Sequence, residues 1–127
     1  MAKKYTLTDQ HFDKFVEYCS EFQIKLGLLH YDLTYKFEDS LEDDAQAQFW
    51  TPADPSQFLG TIALSRESST EPVDDNLRAA AFHEMCHVMF WSMYMYSQDD
   101  DLSKGNRRFL LLREQHRIIN VLGRLLT

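Results

Sequence analysis

Residues 82–90 read FHEMCHVMF: two histidines four positions apart, an acid directly after the first, and apolar neighbours on either side. The stretch lies within a longer apolar-rich run for which a helix is expected, starting at Asp74 or Asp75 as N-cap and reaching about Gln98. At 100° per residue, four positions amount to about 400°, so His83 and His87 project from one face a turn apart and can bind one ion. Glu84 stands about 100° from His83, where its carboxylate takes a proton from a metal-bound water rather than binding the metal. The competing expectation is a core helix with two satisfied histidines and a glutamate reaching solvent. Burying three ionisable groups within one turn is costly without partners, and a bound cation supplies them. Cys86 points about 80° away from the middle of the histidine pair and reads as a small buried residue. Phe90 and Tyr94 share the histidine face and are expected to pack there.

Upstream of this helix the chain changes periodicity twice. Thr8 can cap a first helix whose apolar positions Phe12, Phe15, Val16, Cys19, Phe22 and Leu26 recur at helical spacing, with Gly27 at its end. YDLTYKFE, residues 31–38, alternates between Tyr31, Leu33, Tyr35, Phe37 and the polar residues between them, the pattern of a half-buried strand. The acidic EDSLEDD is a turn, AQAQFWT a second strand, PADPSQ a loop and LGTIALSRE a third strand. After QDDDLSKGN, an acidic connection without the alternating spacing of a calcium loop and with Ser103 as a cap, a last helix runs from about Lys104 to Leu126. The fold expected is one α+β domain over 1–127 in the order α-β-β-β-α-α. Its small, mainly antiparallel sheet packs on the long helix and the one that follows.

A catalytic zinc needs a third protein ligand and leaves a position open for water. In the last helix, FLLLREQHRIINVLGRLL, Glu114 falls in a row with Leu110, Leu111, Ile118, Val121 and Leu125, whereas His116 falls beside Arg113, Asn120 and Gly123 on the polar side. Glu114 is therefore the expected third ligand, since a core-facing carboxylate is neutralised when it meets a metal on a neighbouring helix. Positions 88–113 are ample for an antiparallel helix pair. Arg107, Arg108 and His116 are each able to stabilise an oxyanion, and nothing in the sequence selects one.

The 127 residues carry a formal charge of −7, and no Lys/Arg cluster exceeds Arg107-Arg108, which argues against nucleic acid or an anionic membrane as partner. Two cysteines exclude a disulfide scaffold and fit a reducing compartment. The start, MAKKYTLTDQ, has no apolar core of a signal peptide, and the run 79–96 contains His83, Glu84 and His87, which suits it poorly for a membrane. A cytoplasmic location is expected.

With His83-Glu84-Met85-Cys86-His87 on one helix and Glu114 on the next, the chain resembles minimal gluzincin-type HExxH zinc metallopeptidases. The final REQHRIINVL is also similar to small phage-encoded HExxH proteins. The resemblance implies a zincin-like fold, zinc held by His83, His87 and Glu114, and Glu84 as general base. The metzincin pattern would put a third histidine at 93, where Met93 stands. HEMCH also resembles SprT-like proteases, whose third ligand is a later histidine commonly followed by glycine, and no such pair occurs here. ImmA/IrrE-like proteases take a glutamate from the following helix, usually followed by Ala-Asn; this chain reads Glu114-Gln115-His116-Arg117.

The expected function is zinc-dependent endopeptidase activity on a peptide or protein substrate, aligned by main-chain pairing along an edge strand, for which residues 59–66 are the candidate. The alternative is a catalytically silent metal-binding protein that acts through partner binding. Neither the substrate nor the oligomeric state is encoded in these patterns.

Overall fold

The computed structural model describes residues 4–51 and 58–97, with residues 92–97 described as backbone only, and residues 116, 117, 119, 120 and 124. The elements are β1 (Tyr5–Thr6), α1 (Asp9–Lys25), β2 (Asp32–Glu38), β3 (Ala47–Trp50), β4 (Leu59–Ser65), β5 (Glu67–Ser68) and α2 (Asp74–Ser97). Of the expected last helix, His116, Arg117, Ile119, Asn120 and Arg124 are helical; the acidic connection, Ser103 and Glu114 lie outside the described residues.

Helix α1 begins and ends where its local chemistry dictates. The Thr8 hydroxyl accepts from the His11 amide, and the His11 ring accepts from the Thr8 amide at 2.9 Å, which satisfies two amide donors at the helix start. Gly27, at φ +70°, carries the chain out of the helix in the left-handed region that glycine adopts without strain. Phe15, Cys19 and Phe22 are the fully buried stripe between these ends.

The sheet departs from expectation. Its order is β2-β4-β3: β4 lies in the centre, parallel to β2 over seven residue pairs and antiparallel to β3 over four. The sheet is thus mixed rather than mainly antiparallel, because β3 does not fold back on β2 but leaves room for β4 between them. Burial supplies the reason. Strand β2 alternates between exposed and half-buried residues, as one at an edge does, whereas Ile62, Ala63, Leu64 and Ser65 of β4 are all buried. Ile62 and Leu64 enter the core; Ala63, on the opposite face, is flanked in register by Lys36 and Gln48. Gly60 serves a close approach, since a Cβ there would stand 2.5 Å from the Phe49 ring. The pair β1 and β5, a two-stranded antiparallel ribbon, was not anticipated.

Both helices pack on the core face. The Phe12 ring stacks on Phe37 of β2 at 4.9 Å, and Phe22 of α1 meets Phe82 of α2 edge to face at 5.1 Å. Arg78 of α2 donates to the Glu21 carboxylate of α1 at 2.7 Å and lies over the Phe22 ring, fixing the two helices across their rim. Helix α2 starts one residue earlier than expected. The Val73 carbonyl accepts from the Leu77 amide, so Val73 holds the N-cap and Asp74 and Asp75 occupy the first turn, where carboxylates favour the positive end of the helix. No helix among the described residues is long and apolar enough to cross a membrane.

Candidate metal centre

Helix α2 delivers its three chemical residues from one turn. Leu77, Ala81, Phe82, Met85 and Val88 are almost fully buried and hold the helix against α1 and the sheet. This fixes the rotation of the remaining face, from which His83 and His87 emerge half-buried. Their Nε2 atoms stand 3.1 Å apart. Two nitrogens on one tetrahedral ion at 2.0–2.1 Å would be separated by about 3.3 Å, so the spacing already suits a shared metal.

Glu84, only 6% exposed, completes a group of three donors lying within 4.8 Å of one another. Burial raises its carboxyl from the ordinary 4.5 to about 7. Burial, followed by the neighbouring His83 and His116, lowers His87 to about 4, and burial and His116 lower His83. Both imidazoles are therefore neutral at pH 7, the form that offers a lone pair to a cation. The buried carboxyl between them in sequence is costly to ionise without a cation nearby.

A cleft of about 220 Å³ opens onto this face, lined by Gln46, Ala47, Ala80, His83 and Glu84. The wall opposite the helix is the start of β3, an edge of the sheet. Residues 59–66, expected to form the edge beside the site, instead contain the central β4, whose two sides are taken by β2 and β3. The side-chain Nε2 of Gln46 is buried without a hydrogen-bond acceptor among the described residues. The sequence reading missed Gln46 because its value depends on the long-range packing of β3 against α2.

Cys86 is the small buried residue expected, its thiol pushed up to about 12 by burial. Cys19 is raised as well, by burial and then by the charge of Glu84, which places it behind the acid; both cysteines are free. Phe90 packs against the core as expected, whereas the side chain of Tyr94 lies outside the described residues.

His116 stands beside the histidine pair. Read on the polar side of the last helix, it is exposed, yet its ring centroid lies 5.1 Å from that of His87 and 5.9 Å from that of His83. Ile119, one turn later and about 90° from the centre of the apolar stripe inferred from sequence, is buried in the core. The stripe misled because it averaged every apolar residue of the helix as if all faced one neighbour. Arg107 and Arg108, the other oxyanion candidates, lie outside the described residues, as does Glu114. No family model, curated protein or solved structure matches the chain, so the chemistry of the site has to be read from its own atoms.

Proposed function

We propose that the chain is a zinc-dependent endopeptidase. The observation that carries this reading is the pair of imidazole nitrogens 3.1 Å apart with a buried carboxyl beside them, His83 and Glu84 both lining one cleft. His83 and His87 hold the metal, with a third ligand from the last helix, for which the sequence names Glu114. Bound zinc supplies a Lewis acid for the scissile carbonyl and an acidified water. Glu84 accepts a proton from the attacking water and delivers it to the leaving amine nitrogen.

The substrate backbone pairs along β3, the sheet edge that borders the cleft, with Ala47 nearest the site. Gln46, just before it, lines the same cleft with a buried side-chain amide that has no acceptor among the described residues, and this amide is the candidate donor to the carbonyl oxygen as negative charge develops there. Replacing Gln46 with alanine is expected to lower kcat about 10²–10³-fold with metal content unchanged, the usual loss for one oxyanion donor. A kcat equal to wild type would remove Gln46 from the reaction.

The reading as a whole is tested by metal analysis of protein purified without added zinc, alongside His83→Ala, and by cleavage of a proteome-derived peptide library. About one zinc per chain in the wild type, little in the variant, and cleavage by the wild type alone are expected. Zinc contents near zero in both proteins reject the site. Bound zinc without cleavage would favour a binding protein over an enzyme.

A further inference from the structure

We infer that His116 is the third protein ligand of the metal centre, completing a tripod of imidazoles with His83 and His87; this rests on the reading that the centre binds a metal. The centroids of the three rings are 4.7, 5.1 and 5.9 Å apart. Three imidazoles on one tetrahedral ion, with metal–nitrogen distances of 2.0–2.1 Å, place their ring centroids about 5 Å from one another. The rings are mutually inclined by 62–75°, so none lies flat on another, as a packing stack would have it.

The position of His116 is fixed by its own helix. Ile119, on the same face one turn further, is 2% exposed within the core, while Arg117, Asn120 and Arg124 are exposed. The ring therefore reaches the histidine pair from a segment anchored by a buried neighbour. It is exposed, whereas the other two ligands are half-buried. In the helix expected from the sequence, positions two apart diverge by about 200°, so Glu114 and His116 are competing candidates for a single ion. The choice has chemical weight: three neutral imidazoles leave the 2+ charge of a divalent ion intact, whereas a carboxylate ligand removes one unit from it. The imidazole set thus makes the stronger Lewis acid.

The experiment uses the full chain stripped by a chelator and titrated with Co²⁺, followed by its visible absorption. Wild type, His83→Ala, His116→Ala and Glu114→Gln are compared, with thermal melts of the metal-free forms as a check on folding. Because His116 is exposed, its alanine variant is expected to melt with the wild type. Its Co²⁺ affinity is expected to fall more than about 100-fold, beyond the 10–100-fold that loss of a mere supporting residue causes. Glu114→Gln is expected to keep both the wild-type affinity and the spectrum. Wild-type affinity in His116→Ala, or a changed spectrum and weakened binding in Glu114→Gln, overturns the assignment to His116 and leaves the metal reading standing. Failure of the wild type to bind Co²⁺, or undiminished binding by His83→Ala, overturns both.

Discussion

Zinc-loaded Glu84→Gln is expected to retain its metal while peptide hydrolysis falls about 10²–10⁴-fold, the contribution of a positioned general base. The amide keeps the shape of the acid but cannot accept a proton from water. Metal content and turnover measured on one sample separate the two roles, and hydrolysis at the wild-type rate in the variant would sink the proposed base. The same substitution has a second expected result in the metal-free protein. Folding raises the Glu84 pKa from 4.5 to about 7, so its favourable contribution is complete below pH 4.5 and is lost as pH rises through 7. Above that, a buried charge burdens the wild type alone, and Glu84→Gln is expected to be more stable by about 1–3 kcal/mol. His87 works in the opposite sense: with a folded-state value of about 4, its contribution is present above pH 6.5 and is lost as pH falls through 4. The difference between the two proteins cancels the histidine part. Urea unfolding in chelator at pH 8 and pH 4.5 checks the prediction, which fails if the gap between variants does not shrink at the lower pH.

Phe22→Ala is expected to destabilise the fold by about 3–5 kcal/mol, the range for truncating a buried aromatic side chain. Phe22 is 1% exposed and touches Phe82 edge to face, and its ring underlies the Arg78 guanidinium at 4.8 Å. The variant opens a cavity between α1 and α2 next to the turn that carries His83. Since small domains have only about 5–15 kcal/mol in total, much of the stability goes with one ring. Denaturant unfolding measures it; a loss below about 1 kcal/mol would mean that the helices repack without the ring.

The parts of the molecule legible in the sequence are those whose signals are local. Thr8 and Gly27 bracket α1 by backbone chemistry that acts within a few residues, and the alternation of β2 needs no partner to be seen. Likewise the four-residue spacing of His83 and His87 has meaning as soon as the helix is granted. Strand pairing is different. Whether β3 turns back onto β2 or leaves a gap for β4 is decided by contacts across the chain, although the run Ile62-Ala63-Leu64, apolar on both faces, already marks a strand covered on both sides. The neighbours of His116 were illegible for a related reason. Its own helix offers it to the polar side, and only the placement of that helix beside α2 turns the ring onto the histidine pair.

The central position of β4 also governs when the sheet can come into being. As the chain leaves the ribosome, β2 and β3 are complete by Trp50, yet neither hydrogen-bonds the other in the finished sheet. Both wait, with ladders unpaired, until Ser65 has emerged to serve them together. Strand β4 closes a short loop back to β3 but a longer one to β2, and longer loops close at greater entropic cost. The hairpin of β3 and β4 should therefore form first and capture β2 afterwards. A nascent chain halted before residue 59 can hold α1 but no sheet, and its exposed strands are open to pairing with other chains.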